Sequence, residues 1–226
     1  GLLADRVGRV SIPVMIAVSF GGLTLCLTDF PFAKGGGRGT EHGAATPLAF
    51  FQKYPRFAML LAGAVLLFTG HTILNSFNFQ IVQSKGGGSG EMGLATALSA
   101  CYELPTMFFF TLMAKRIRCD IWMRVAGVFF TLKAAATWLA PNVPVFLGIQ
   151  IFQMLGFGLV AVASVHYINA IMNYEDAIKG QAYFTMTMTL GTVLGALMGG
   201  AMLDRFGVDA VLACISAVSL TGTLIL

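Results

Sequence analysis

Most of this 226-residue chain consists of apolar stretches long enough to cross a lipid bilayer. Hydrophobic residues make up 57% of the sequence and charged residues only 11%, which is far outside the usage of soluble domains. A membrane-spanning helix needs about 20 predominantly apolar residues, and windows of that length predict seven helices. They cover residues 11–28, 57–80, 92–114, 122–140, 145–172, 181–203 and 210–226. We therefore expect an all-α polytopic membrane protein.

Two charged residues, Glu103 and Lys133, stand alone near the centres of two of these apolar stretches. A charge at the centre of a bilayer costs about 3 kcal/mol on insertion scales, and such a residue by default marks a solute pathway or a proton relay. Each lies roughly 16 Å from one end of its predicted helix, so the two would sit at the same depth in an antiparallel hairpin. A salt bridge between them is feasible. The alternative to a functional pair is a static ion pair that only fixes the packing of the two helices.

Hydrogen-bonding side chains follow one face of the helix predicted at residues 57–80, where His71, Asn75 and Asn78 are spaced i, i+4, i+7. Gln150 and Gln153 add a second polar pair on the helix predicted at residues 145–172. Several fixed donors and acceptors suit a hydroxyl-rich solute such as a sugar or a nucleoside, although polar packing between helices is the alternative. The candidate solute-binding residues are therefore Glu103, Lys133, His71, Asn75, Asn78, Gln153 and Gln150. Glu103 and His71 are also candidate proton carriers, since histidine titrates near neutral pH.

Small residues recur at every fourth position of the helix predicted at residues 181–203, as Gly191, Gly195 and Gly199. Consecutive GxxxG units allow the backbones of two membrane helices to approach closely. We expect this face to pack against a neighbouring helix and not to contact a ligand.

Sequence patterns typical of other functional classes are missing. The glycine clusters at residues 35–39 and 86–90 lack the spacing of a phosphate-binding loop and are typical of flexible connectors. The basic residues are dispersed among short loops, which argues against a nucleic-acid-binding face. The four cysteines have no metal-ligand spacing, and neither HExxH nor another intramembrane protease motif is present. We expect no cofactor, no metal and no enzymatic activity.

The loops on alternating sides of the predicted helices differ in their content of lysine and arginine. One side holds Lys34, Arg38, Lys53, Arg56, Lys115, Arg116, Arg118, Arg124 and Lys179, and the other holds Arg6, Arg9, Lys85 and Arg205. Cytoplasmic loops carry the excess of positive charge, so the first of these sides is predicted to be cytoplasmic.

The motif GxxxDRxG occurs at residues 1–8 and again at residues 200–207, each time before an apolar helix. Such a repeat indicates two similar halves, as in transporters built from parallel repeats. Because the chain begins without Met and ends inside an apolar stretch, we expect a fragment truncated at both ends, which holds the second half and the end of the first.

With this repeat, the chain resembles the major facilitator superfamily, and within it the lactose permease-like group of oligosaccharide and nucleoside:proton symporters. The resemblance is carried by residues 50–55, 98–109, 126–133, 166–168 and 200–207. It implies that residues 1–28 are the end of helix 5 and helix 6 of the N-terminal half. Residues 29–56 would then be the central cytoplasmic loop, and residues 57–226 the C-terminal six-helix transport half.

The resemblance also implies roles for individual residues. In lactose permease the glutamate that matches Glu103 contacts sugar, and an arginine matches Lys133. The chain departs from that group at Gln153 and Gly156, which stand where the permease has a histidine and a glutamate for proton handling. His71 stands in place of an aspartate.

The function expected from these features is secondary active transport of a small polar solute, a sugar or a nucleoside, by alternating access with proton coupling. The alternatives are a facilitator or efflux carrier without proton coupling, and a non-transporting membrane sensor that keeps the permease fold. The expected partners are the lipid bilayer, the solute and protons, with no nucleic acid. We expect a monomer that crosses a bacterial inner membrane several times.

Overall fold

The computed structural model describes residues 47–226. The helix expected at residues 11–28 and the first part of the expected central loop lie outside these described residues. The chain divides into two compact units after Lys53. Of the first unit only one helix, α1 (Pro47–Lys53), is described, so the stretch expected to form the central loop contains a helix near its end.

The second unit, Tyr54–Leu226, is built from helices, and no strand occurs between residues 47 and 226. Its elements are α2 (Pro55–Ser76), α3 (Asn78–Ser84), α4 (Ser89–Ala114), α5 (Cys119–Leu139), α6 (Val143–Ile149), a 3-10 turn (Gln150–Gln153), α7 (Phe157–Ile171) and α8 (Tyr174–Ile225). The prediction of an all-α protein is confirmed.

Four segments of the described chain are long and apolar enough to cross a membrane. They are Pro55–Ser76, Ser89–Ala114, Val143–Ile171 and Tyr174–Ile225. At 21 residues α5 is also long enough, about 31 Å, but it is less apolar because it carries Arg124 and Lys133. The chain is thus a multi-pass membrane protein.

Two of the predicted spans are interrupted in their interior in the observed structure. The span expected at 57–80 breaks at Phe77, where α2 ends and α3 follows. The span expected at 145–172 is interrupted by the 3-10 turn. The spans expected at 181–203 and 210–226 are the two parts of α8, and a kink at Gly207, with φ 76° and ψ 177°, separates them where a loop was expected. A break inside an apolar segment leaves the hydropathy unchanged, so the apolar pattern gave no signal for the breaks at Phe77 and at Gln150–Gln153.

Asparagine side chains begin two of the helices. The side chain of Asn142 accepts a hydrogen bond from the backbone N–H of Val145 over 3.2 Å at the start of α6. Asn173 accepts from the N–H of Asp176 over 3.0 Å at the start of α8. Each bond satisfies one of the backbone donors that a helix start leaves unpaired, which explains why the chain turns into a new helix there.

The core is organised around α2, which packs along much of α8. The predicted glycine stripe of α8 lies on this contact: a Cβ added to Gly195 would lie 2.7 Å from the backbone oxygen of Thr69. Farther along α8, a Cβ on Gly222 would lie 2.9 Å from the backbone oxygen of Gly63 on α2. The expectation that the stripe permits close packing of helix backbones is confirmed.

Lys85, in the turn before α4, is tied to the end of α5. Its Nζ donates a hydrogen bond to the backbone oxygen of Ala140 over 2.7 Å, and a cation at a helix C-terminus is stabilising. Partial burial lowers the pKa of Lys85, and the charge of Asp209 opposes this shift. This lysine therefore joins the turn before α4 to the end of α5.

The glycine contact predicts a large difference between two alanine substitutions on the same helix. In Gly195→Ala the new methyl group would overlap the Thr69 carbonyl, so we expect the full-length protein to lose about 1–3 kcal/mol of stability. In Gly200→Ala the new methyl group would meet only the ring of Phe77, at an ordinary contact distance of 3.7 Å. This control should be neutral or slightly stabilised, because alanine is the better helix former.

The measurement is thermal unfolding of both variants in detergent. Equal melting temperatures for Gly195→Ala and Gly200→Ala would contradict the packing that we describe between α2 and α8.

Candidate functional site

Three side chains from separate elements form a continuous chain of hydrogen bonds. Lys133 on α5 donates from Nζ to Oε1 of Gln153 over 2.6 Å, and Gln153 donates from Nε2 to Oε1 of Glu103 on α4 over 2.7 Å. The orientation of the Gln153 amide follows from its partners, because an ammonium group only donates and a carboxylate only accepts. The direct salt bridge that was feasible between Glu103 and Lys133 is not formed, since Gln153 lies between the two charges.

This chain of hydrogen bonds compensates a deeply buried charge. Lys133 and Gln153 are each 4% exposed, while Glu103 is half-buried. An ammonium group buried without partners would be strongly destabilising, and hydrogen bonds to ionised groups are roughly twice as strong as those between neutral groups. Both bonds made by Gln153 are of this kind, so its amide links the charge on Lys133 to the opposite charge on Glu103.

The position of Gln153 depends on the interruption between α6 and α7. Residues Gln150–Gln153 wind as a 3-10 helix, in which side chains three residues apart point to the same side. Gly156 then has a non-helical backbone with φ −87° and ψ −99°. As a result both glutamines, Gln150 and Gln153, are directed into the bundle, where each is buried.

The region around this interruption is held against the face of α4 that carries Glu103. A Cβ added to Gly158 at the start of α7 would lie 3.2 Å from Cα of Glu103, so the two backbones are close. Thr106, one turn farther along α4, donates a hydrogen bond to the backbone oxygen of Met154 over 2.8 Å. This bond satisfies a backbone acceptor at the interruption.

Gln150 is fixed by a hydrogen bond at each end of its amide. Oε1 accepts from the hydroxyl of Ser99 over 2.8 Å, and Nε2 donates to the backbone oxygen of Phe146 over 3.0 Å. The sequence reasoning did not identify Ser99 or Thr106. They lie four residues before and three residues after Glu103, on the same face of α4, and that spacing could have identified them.

Four of the predicted residues line one small pocket: Asn75, Asn78, Lys133 and Gln150. The lining is completed by Leu74, Thr137 and Phe146. The volume open to the centre of a water-sized sphere is about 10 Å³, which is room for about one water molecule. The predicted polar residues of α2, α5 and the interrupted helix therefore do converge, but the space between them in this conformation is smaller than a sugar.

His71 lies beside this pocket in an aromatic surrounding. Its ring stacks on Phe157, with centroids 4.9 Å apart, and meets the ring of Phe130 edge-on. Its Nε2 is 2.8 Å from Nδ2 of Asn75, while Nδ1 has no hydrogen-bond partner within residues 47–226. Asn75 thus connects His71 to the pocket, which His71 itself does not line.

The described residues contain no group of three or more His, Cys, Asp or Glu side chains arranged to hold a metal ion. The site brings together one carboxylate, one ammonium group, amides and hydroxyls, and the imidazole of His71 lies beside it. These groups can bind a polar solute and exchange a proton.

Comparison with known proteins gives two findings. The family model of the Major Facilitator Superfamily matches residues 60–226. A relative from Deinococcus radiodurans, named "Putative sugar efflux transporter", is 25% identical over 151 residues, which are 66% of this chain and 38% of that relative. The chain therefore spans well under half the length of that relative.

The bridging position of Gln153 predicts that its loss destabilises the protein through Lys133. Gln153→Leu keeps a similar volume but leaves the buried ammonium without its hydrogen-bond acceptor. We expect a loss of about 3–5 kcal/mol, measured by thermal unfolding of the full-length protein in detergent. Gln181→Leu is the control, since the long 3.4 Å hydrogen bond of Gln181 is exposed, and it should change the stability little.

Removal of the charge on Lys133 should reduce the destabilisation caused by Gln153→Leu. The double variant Gln153→Leu/Lys133→Leu is expected to recover much of the stability lost in Gln153→Leu, because no buried charge then remains unpaired. If Gln153→Leu is as mild as Gln181→Leu, Gln153 does not compensate the charge on Lys133.

Proposed function

This chain belongs to the Major Facilitator Superfamily, and we therefore propose that the full-length protein is a secondary transporter. In this proposal it moves a small polar solute, a sugar or a nucleoside, across the membrane by alternating access. The observation that carries the proposal is the hydrogen-bonded chain of Glu103, Gln153 and Lys133, which joins three helical elements beside a polar pocket.

The types of side chain at the pocket support a hydroxyl-rich solute. Asn75, Asn78 and Gln150 each carry an amide with both donors and an acceptor, and Lys133 adds a charged donor. A hydroxyl group both donates and accepts hydrogen bonds, so it can be satisfied by such a mixed set. A solute with several hydroxyls would engage residues of α2, α5 and the interrupted helix together.

Binding of a solute at these residues can be coupled directly to a movement of the helices. Glu103 and Lys133 are linked through Gln153, which lies between α6 and α7. The electrostatic attraction between Glu103 and Lys133 becomes weaker when a solute hydroxyl takes over one hydrogen bond of the Gln153 amide, or when a proton neutralises Glu103. α4 and α5 are then free to shift relative to the interrupted helix, which alternating access requires.

Glu103 is the proposed proton site, because its carboxylate is half-buried and forms one end of the hydrogen-bonded chain. His71 is the second candidate proton carrier. It is linked to the pocket through Asn75, so that a change in its charge would act on a pocket-lining residue.

A second candidate function is efflux or facilitated transport without proton coupling. Two observations favour it: the relative from Deinococcus radiodurans carries the name of a sugar efflux transporter, and the central position between Glu103 and Lys133 is taken by Gln153, whose amide does not titrate. Under this proposal the chain of hydrogen bonds responds to the solute alone.

We also propose a membrane location, an oligomeric state and an orientation for the protein. The expected site is the inner membrane of a bacterium, where the protein acts as a monomer. The loop side richer in lysine and arginine faces the cytoplasm.

Replacement of the carboxylate tests the role of Glu103. With Glu103→Gln in the full-length protein, we expect gradient-driven accumulation of the transported solute to fall by an order of magnitude or more, because the proton site is removed while the side chain keeps its shape. The measurement is uptake into proteoliposomes, with labelled glucose, lactose and uridine as probes and an internal pH dye. Glu175→Gln, at an exposed carboxylate in the first turn of α8, is the control and should transport normally.

The outcome separates the two candidate functions. Undiminished accumulation and proton movement in Glu103→Gln would contradict the role of Glu103. Counterflow of the solute that continues unchanged when the proton gradient is collapsed, without solute-induced alkalinisation, would favour the uncoupled carrier.

A further inference from the structure

Two buried oxygen atoms at the pocket have no hydrogen-bond partner among residues 47–226. Thr137, which is 1% exposed, has no partner for Oγ1 within the described residues, and the same holds for Oδ1 of Asn78. Both residues line the pocket. A buried polar atom is rarely left without a partner, because its desolvation is then uncompensated. These two oxygens therefore point to a ligand that supplies what they lack.

Lys133 brings an unused donor to the same pocket. Its ammonium group has three N–H donors, and its one hydrogen bond within the described chain goes to Gln153. Thr137 lies four residues after Lys133 on α5, which places both side chains on one face of the helix. The amide of Gln150, which also lines the pocket, is already engaged, since it bonds Ser99 and Phe146.

Charge and hydrogen-bonding capacity limit which ligand fits. A cation would be repelled by Lys133, and a halide or carboxylate could accept from Lys133 but would leave Oδ1 of Asn78 without a donor. A neutral oxygen that carries hydrogen satisfies all three groups, because it accepts from Lys133 and from the hydroxyl of Thr137 and donates to Oδ1 of Asn78. Since the pocket has room for about one water-sized group, the fitting ligand is a single –OH oxygen.

We propose that the pocket formed by Asn78, Lys133 and Thr137 is a binding site for one neutral –OH oxygen. Water is the occupant in the absence of solute. A hydroxyl of the transported solute takes its place when solute binds, so that Thr137 helps to determine specificity. The water site stands independently of the transport function, whereas the solute hydroxyl rests on the function proposed above.

The isosteric substitution Thr137→Val tests the water site. If Thr137 holds a water molecule, loss of the hydroxyl leaves that water and its other partners poorly bonded, and the melting temperature of the solute-free, full-length protein should fall by about 2 °C or more. Thr137→Ser keeps the hydroxyl and should retain most of the stability. Thr189→Val is the matched control, because Thr189 is exposed and bonds only the backbone of its own helix.

The opposite result overturns the proposal. An empty site would leave Oγ1 of Thr137 as an unsatisfied buried oxygen, which valine removes at no loss of packing. A melting temperature of Thr137→Val that is unchanged or raised relative to the Thr189→Val control would therefore show that no oxygen is bound there.

A second measurement determines whether a hydroxyl of the solute takes the place of water in the pocket. Dissociation constants for glucose, lactose and uridine are measured by equilibrium dialysis with wild type, Thr137→Val and Thr137→Ser. If a solute hydroxyl enters the pocket, Thr137→Val should weaken binding of the recognised solute about 5- to 10-fold, as expected for one lost hydrogen bond, and Thr137→Ser should bind nearly as wild type.

The melting temperatures and the dissociation constants can each contradict a different part of the proposal. If Thr137→Val is destabilised and one of these solutes binds it as tightly as wild type, the oxygen is a structural water and the specificity role of Thr137 is wrong. If none of the probes binds wild type, the solute class of the proposed function is wrong for these compounds, while the melting temperatures still decide the water site.

Discussion

The burial of one ammonium group is the constraint on which the arrangement of the described helices depends. Lys133 is 4% exposed in a helix surrounded by apolar residues, and a charge in that position is tolerated only when it is hydrogen-bonded and electrically compensated. Gln153 supplies the hydrogen bond and Glu103 supplies the opposite charge. Because these groups come from different elements, α4, α5 and the interrupted helix must meet at this point.

The interruption between α6 and α7 is what makes this meeting possible. A regular α-helix would place Gln150 and Gln153 on positions about 60° apart, whereas the 3-10 turn directs both into the bundle. The irregular backbone is tolerated within the membrane because side chains satisfy its polar groups. Thr106 bonds the oxygen of Met154, and Gln150 bonds that of Phe146. The site and the break are therefore one structural feature.

The sequence predicted the residues of this site better than the hydrogen bonds that connect them. Charges and amides inside apolar segments are conspicuous, so Glu103, Lys133 and Gln153 were identified, and the spacing of the glycines in α8 predicted its contact with α2. The bridge through Gln153 could not be predicted, because it depends on a 3-10 turn that leaves the apolar pattern unchanged. Thr137 was missed for another reason: threonine is common in membrane helices, where its hydroxyl usually bonds its own backbone.

An amide between two charges has a consequence that a direct salt bridge would not have. A direct pair in an apolar site is held by strong Coulomb attraction at short distance, and its separation exposes two uncompensated charges. Here two hydrogen bonds link the charges through Gln153, and either bond can be exchanged for a bond to a hydroxyl at little net cost. The buried charge of Lys133 then stays compensated throughout a rearrangement of the helices. Under the proposed transport function, such an exchange would allow Glu103 and Lys133 to move apart without a high barrier, provided that a hydroxyl-bearing solute or water enters as Gln153 leaves.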